Sequence, residues 1–115
     1  SRIERALAGG FPAPDSSRPP SERARPWRGR SDLELAAAML LGDAAVQREA
    51  AWFVAEARAV RPALRGEDVT ALGVPPGPEV ARVLSALRDA RLDGAVVERD
   101  DEQALVRHWL RRKEA

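Results

Sequence analysis

A chain of 115 residues, 44% hydrophobic and 32% charged, is bounded to one small globular domain with loosely organised ends. No apolar run approaches the roughly 18 residues of a membrane span, and the N-terminal SRIERALAGG lacks a secretory apolar stretch. The absence of cysteine excludes disulfides and thiolate metal sites and suits a reducing cytoplasm.

Net charge is only +1, yet residues 1–30 hold seven arginines against Glu4, Asp15 and Glu22, leaving the rest mildly acidic. Ile3 and Leu7 share a side of one or two helical turns over residues 1–8, after which Gly9-Gly10 and a Pro/Ser/Arg-rich run break regular structure. Residues 1–30 therefore read as a basic arm or linker, disordered or extended, of a kind that suits a polyanion. Trp27, flanked by Arg25 and Arg28, reads either as a docking anchor or as a base-stacking residue.

Order begins at Ser31, where Ser31 and Glu34 have capping-box spacing. Leu33, Ala36, Ala37, Leu40 and Leu41 make a helical stripe ended by Gly42. Asp43 caps the next helix, whose buried side is Val46, Ala50, Phe53, Ala57 and Val60, and Pro62 stops it. A brief helix starts at Glu67 or Asp68 and runs to Leu72; another starts at Pro78 and buries Val80, Val83, Leu84, Leu87 and Leu92. The last helix spans about Asp100 to Arg112, with Leu105, Val106, Trp109 and Leu110 inward, an acidic first turn and a basic last turn. Ala95-Val96-Val97 is the one plausible strand, and a single strand makes no sheet. The expected fold is all-α, a small bundle of about five helices over residues 31–115 behind the arm.

Catalytic candidates are sparse. His108 has Ala104, Leu105, Arg111 and Arg112 at helical neighbour positions, none able to orient a base or share a metal, so it reads as a surface histidine. Glu67-Asp68 and Asp100-Asp101-Glu102 could in principle hold magnesium, but both sit at helix starts, where carboxylates serve as caps. No catalytic residue and no metal ligand is assigned.

Two features suit RNA. The turn Leu72–Pro78 carries Gly73 and Gly77 in the general plan of a helix–hairpin–helix module, where backbone N–H groups meet a phosphate. Pro75, Pro76 and Pro78 have no N–H to give and Glu79 repels anions, so the turn reads equally as a rigid corner. The arginines Arg82, Arg88 and Arg91 on one helix and Arg107, Arg111 and Arg112 on the last could neutralise RNA backbone phosphates. Glu79, Asp89 and Asp93 interleave with the first set, and a solvated face is the plain alternative. Trp52 and Trp109 read as core or core-edge residues rather than stacking platforms.

The order Arg58 to Pro62, Gly66-Glu67-Asp68-Val69, Leu72-Gly73, Pro76-Gly77-Pro78, Leu92-Asp93-Gly94 and Glu98 to Glu102 resembles the C-terminal helical region of bacterial tRNA nucleotidyltransferases and related poly(A) polymerases. The resemblance covers residues 44–112 and departs at Ala81, where that family often has glycine. It implies a non-catalytic tail domain that positions tRNA or other RNA beside the remaining domains of a parent enzyme. In that family the head domain, with its magnesium and nucleoside triphosphate, carries Gly-Ser and Asp-x-Asp signatures, and neither occurs in this sequence. The contrasting reading is an interaction or structural domain, docking on its parent or forming a homodimer, with no RNA role.

Overall fold

The structure, a computed structural model, describes residues 10–114. The helical turns expected over residues 1–8 lie outside the described residues. Helices account for all the regular structure among the described residues, and Ala95–Val97, the expected strand, forms none. None of these helices is long and apolar enough to cross a membrane. The chain divides into two compact units, Ser1–Ala59 and Val60–Ala115.

In the first unit the arm is non-helical from Gly10 through Pro19 and then folds. Proline at the first turn starts a short helix, α1 (Pro20–Ala24), and Pro26 starts a 3-10 turn over Arg25–Trp27. Trp27 is only 1% exposed, which makes it the anchor of this segment rather than a stacking platform. Next comes α2 (Asp32–Leu41), opened by the expected capping box: Glu34 N–H donates to Ser31 Oγ at 3.1 Å, and Ser31 N–H donates to Glu34 Oε1. Asp43 Oδ1 accepts from Val46 N–H at 2.9 Å to start α3 (Ala44–Ala55), which continues into a 3-10 turn at Ala57–Ala59. α2 packs on α3. Their corner is close enough that a Cβ on Gly42 would sit 2.4 Å from Val46 Cγ1 and 2.7 Å from the Ala38 carbonyl oxygen, so only glycine fits.

The stripe expected on α2 is rotated. Leu35, Ala37 and Ala38 are buried, while Leu33, Met39, Leu40 and Leu41 are exposed, Leu40 by 76%. Every residue from Leu35 to Leu41 is apolar, so spacing alone could not single out a face. Beside the close corner at Gly42, Ala37 and Ala38 face inward, whereas Ala36 of the expected stripe is exposed. On α3, by contrast, Val46, Ala50, Phe53 and, beyond its end, Ala57 are buried as their spacing required.

The second unit holds α4 (Gly66–Ala71), α5 (Pro78–Leu92) and α6 (Arg99–Glu114). α4 closes in a Schellman turn: Gly73 N–H donates to the Thr70 carbonyl and Val74 N–H to the Val69 carbonyl. Gly73 has φ +118°, open to glycine and costly for other residues. The turn carries Val74 into the core beside Val69. The same bonding pattern ends α5, with Gly94 N–H on the Arg91 carbonyl and Ala95 N–H on the Ala90 carbonyl. Leu64, Val69, Val74, Val83, Leu87 and Val106 form the core, and Val80, Leu84, Leu105, Trp109 and Leu110 pack against it, as the helical faces predict except for Leu92, which is half-buried outside this cluster.

One buried charge ties this unit together. Glu102, on α6, is fully buried, and its carboxylate accepts from the backbone N–H groups of Ala63 and Leu64, both at 2.9 Å. Arg91 Nε donates to Oε2 of the same carboxylate, and Arg91 Nη1 reaches the Val97 carbonyl at 3.2 Å. Burial pushes the Glu102 pKa up, but these donors outweigh it and hold the carboxyl below its ordinary value of 4.5. Asp68 and Asp101 are also held low, by the N–H of Arg65 and by those of Glu98 and Val97, respectively.

A carboxyl whose pKa is lower in the folded state stabilises fully above its unfolded pKa, and that contribution fades as pH falls through the folded value. The second unit is therefore expected to lose stability progressively as the solution is acidified below pH 4.5. Glu102→Gln should cost about 3–5 kcal/mol at neutral pH, the scale for breaking a buried pair, and should flatten the acid dependence. Urea unfolding followed by circular dichroism across pH measures both; an unchanged midpoint for the variant would contradict this role.

Candidate nucleic-acid interface

The six arginines expected to face RNA separate according to what folding does with them. Arg91 is committed to Glu102 and the Val97 carbonyl, which makes it a structural residue and removes it from any phosphate-binding set. Arg88 is half-buried and paired with its neighbour Asp89 at 3.3 Å. Arg82, Arg107, Arg111 and Arg112 are exposed and make no hydrogen bond or ion pair to another described residue. Arg107 and Arg111 stand one turn apart on α6, about 6 Å along its axis. Exposed His108 shares the face of Arg112, also one turn away. Lys113, from the same basic last turn, is engaged: its ammonium pairs with Glu79 and lies 5.0 Å from the centre of the Trp109 ring.

The two turn glycines play different parts. Gly73 is exposed, and a Cβ there would meet Leu110 Cδ1 of α6 at 3.5 Å, an ordinary packing distance. Gly77, the N-cap of α5 with φ +121°, is exposed with open space where a side chain would project. Glu79 lies in the first turn behind it, and its Oε2 is buried without a partner. This half-buried carboxylate, paired through Oε1 with Lys113, occupies the helix start where a phosphate would bind, and the arrangement suits a corner that aims α5.

The acidic clusters have structural occupations. Asp68 Oδ2 accepts from Arg65 N–H at 2.8 Å, and Asp68 Oδ1 pairs with Arg99 at 3.3 Å. Asp101 Oδ2 accepts from the N–H groups of Val97 and Glu98, both at 3.0 Å, while Glu102 is enclosed by its donors. Sequence spacing marked these residues as caps; the burial of Glu102 and its long-range bonds to Ala63 and Leu64 carried no local signal.

In the first unit, the arginines of the arm are largely engaged from Pro20 onward. Arg23 makes a two-point contact with buried Glu49, at 2.8 and 3.0 Å, and lies 4.4 Å from the centre of the Trp52 ring. Arg28 stands over Phe53, and Arg30 over Trp27, within the range of a cation–π contact. Arg18 pairs with Asp15. A cavity of about 410 Å³ between the Pro12–Asp15 stretch and Trp27 is lined by both signs of charge, in which Arg23 and Glu49 already satisfy each other.

These features define a class: a small helical module that carries a set of exposed arginines with no bond to another described residue. Comparison with known proteins narrows it. Over 56 residues the chain is 43% identical to the CC-adding tRNA nucleotidyltransferase of Thermus thermophilus, a match that takes in 48% of this chain and 13% of that protein. It is 47% identical over 47 residues to the CC-adding enzyme of Deinococcus radiodurans, covering 41% of this chain and 13% of that protein. With the A-adding tRNA nucleotidyltransferase of Geobacter sulfurreducens it shares 33% identity over 61 residues, 53% of this chain and 7% of that one. No family model and no solved structure matches the chain. About half of the chain is thus similar to a segment of tRNA nucleotidyltransferases, and it spans at most 13% of the length of these relatives.

The division among the arginines is measurable. Arg91→Ala is expected to destabilise the second unit by about 3–5 kcal/mol, because it leaves a buried carboxylate without its cation. Arg82→Ala and Arg107→Ala should each change stability by less than about 0.5 kcal/mol, as substitutions on an exposed surface do. Equal effects in thermal melts would refute the distinction.

Proposed function

We propose that this chain is a non-catalytic RNA-positioning domain of a tRNA nucleotidyltransferase or poly(A) polymerase-like protein, and that it contacts the tRNA backbone. The observation that carries the reading is the set of exposed, unpartnered arginines Arg82, Arg107, Arg111 and Arg112 in a chain similar to enzymes named for acting on tRNA. Guanidinium groups with free donor edges bind phosphate oxygens in paired geometry, and several such contacts hold a nucleic acid regardless of its sequence. The motifs that resemble the family from Val60 onward fall in the second unit, which carries these arginines. Nucleotide transfer, with magnesium and a nucleoside triphosphate, belongs in this reading to other domains of a cytoplasmic parent protein.

Binding to a tRNA transcript is expected to be weak and steeply salt-dependent. Each phosphate contact contributes about 0.7–0.9 to the slope of log affinity against log salt, so replacing Arg107, Arg111 and Arg112 together with alanine should make that slope shallower by about two to three. Filter binding or fluorescence anisotropy across salt concentrations measures this. A flat salt response, or no binding in low salt, would reject the proposal.

A second reading, an interaction domain without an RNA role, is favoured by the exposed Leu33, Met39, Leu40 and Leu41 of α2. It predicts a stable dimer in sedimentation that Leu40→Glu disperses and that tRNA leaves unaltered.

A further inference from the structure

A notch of about 140 Å³ lies between α5 and α6 in the second unit, beside the unpartnered arginines. Its floor is the buried Val83, Leu87 and Val106, its walls include Ala86 and half-buried Trp109, and Arg112 stands at its rim. Apart from His108 and Arg112 the lining is apolar, and no carboxylate lines it. Lys113 lies over the Trp109 ring, and Arg82, one turn before Ala86 on α5, is exposed without a partner.

We propose that this notch receives one unpaired nucleobase of a folded RNA, stacked on Trp109, while the flanking phosphates lie on Arg112 and Arg82. Three observations support that occupant. The size matches one flat ring system, since a dry cavity of about 150 Å³ is enough to hold benzene. It is well below the roughly 300 Å³ at which pockets for ordinary small ligands begin. The charge pattern, an apolar aromatic centre within a cationic rim, complements a nucleotide, whose base is flat and whose phosphates are anionic. An apolar side chain of a protein partner would fill the centre but leave the arginines unpaired. The inference rests on the RNA-positioning reading and adds to it a preference: this domain distinguishes an RNA with an extruded or loop base from a fully paired one.

The test uses the whole 115-residue chain with two probes, an unmodified tRNA transcript and a blunt RNA duplex in which every base is paired. Ala86→Phe places a ring in the notch from an exposed position, and Ser85→Phe adds the same ring at an exposed neighbour outside it. Circular dichroism establishes that both variants keep their helices, and Ala86→Leu provides a smaller plug.

The wild-type chain is expected to bind the tRNA more tightly than the duplex. Ala86→Phe should weaken tRNA binding about tenfold, within the range for one stacked base, without altering the salt slope or duplex affinity. Ala86→Leu should cause a smaller loss, and Ser85→Phe none. Equal affinity for the two RNAs, or equal effects of the two phenylalanine variants, overturns the nucleobase site and leaves the arginine surface intact. A dimer that Ala86→Phe disperses would assign the notch to a second copy and overturn it as well. Failure of either RNA to bind in low salt removes the RNA-positioning reading itself, and this inference with it.

Discussion

The second unit depends on a carboxylate that has no access to water. Glu102 would be strongly destabilising alone, since an ion loses its hydration on burial. It is accommodated because two backbone N–H groups and one guanidinium converge on its oxygens. Those donors come from the segment before α4 and from α5, and Arg91 also donates to the Val97 carbonyl, so one side chain joins the Ala63–Leu64 segment and α5 to α6. The apolar core supplies most of the favourable burial, but apolar contacts are tolerant of sliding and rotation. The convergent bonds at Glu102 set the register in which α6 meets α5, and with it the position of every cation further along α6.

Folding sorts the cations of the second unit into paired and unpaired ones. Arg91 and Arg99 hold the interior and the α4 start, Lys113 holds Glu79, and Arg88 holds Asp89. Arg82, Arg107, Arg111 and Arg112 keep their donors free. The distinction matters for a polyanion, because a guanidinium already bonded to a carboxylate has lost both charge and donor geometry for phosphate. About half of this chain is similar to a segment of tRNA nucleotidyltransferases, and the proposed RNA contact rests on that similarity together with these arginines.

The first unit treats its arginines differently. Arg23, Arg28 and Arg30 lie over Trp52, Phe53 and Trp27, so cations that look like a polyanion-binding arm in composition are partly consumed as packing. What this unit leaves uncovered is apolar instead: the Leu33, Met39, Leu40 and Leu41 face of α2.

Local sequence was sufficient wherever a signal acts over a few residues. The capping box of Ser31 and Glu34, the cap of Asp43, the start at Pro78, and the buried sides of α3, α5 and α6 were legible because capping and helical spacing are properties of neighbouring residues. The exposure of Arg82, Arg107, Arg111 and Arg112 was legible, since it follows from the apolar stripes opposite them. Their separation from Arg88 and Arg91 was not. Arg91 and Arg82 are alike in sequence, and only the approach of α6 places a buried carboxylate beside one of them. The face of α2 was equally undetermined, because a helix apolar on nearly all sides takes its orientation from the closeness of its neighbour at Gly42. The sequence by itself thus determined an all-helical fold, several of its helix starts and most of its buried faces, although α3 ends at Ala55 rather than running to Pro62 and α1 forms within the expected arm. Tertiary structure alone decided which cations remain free, which face of α2 stays exposed, and that α5 and α6 leave a notch, because these depend on packing between residues far apart in the chain.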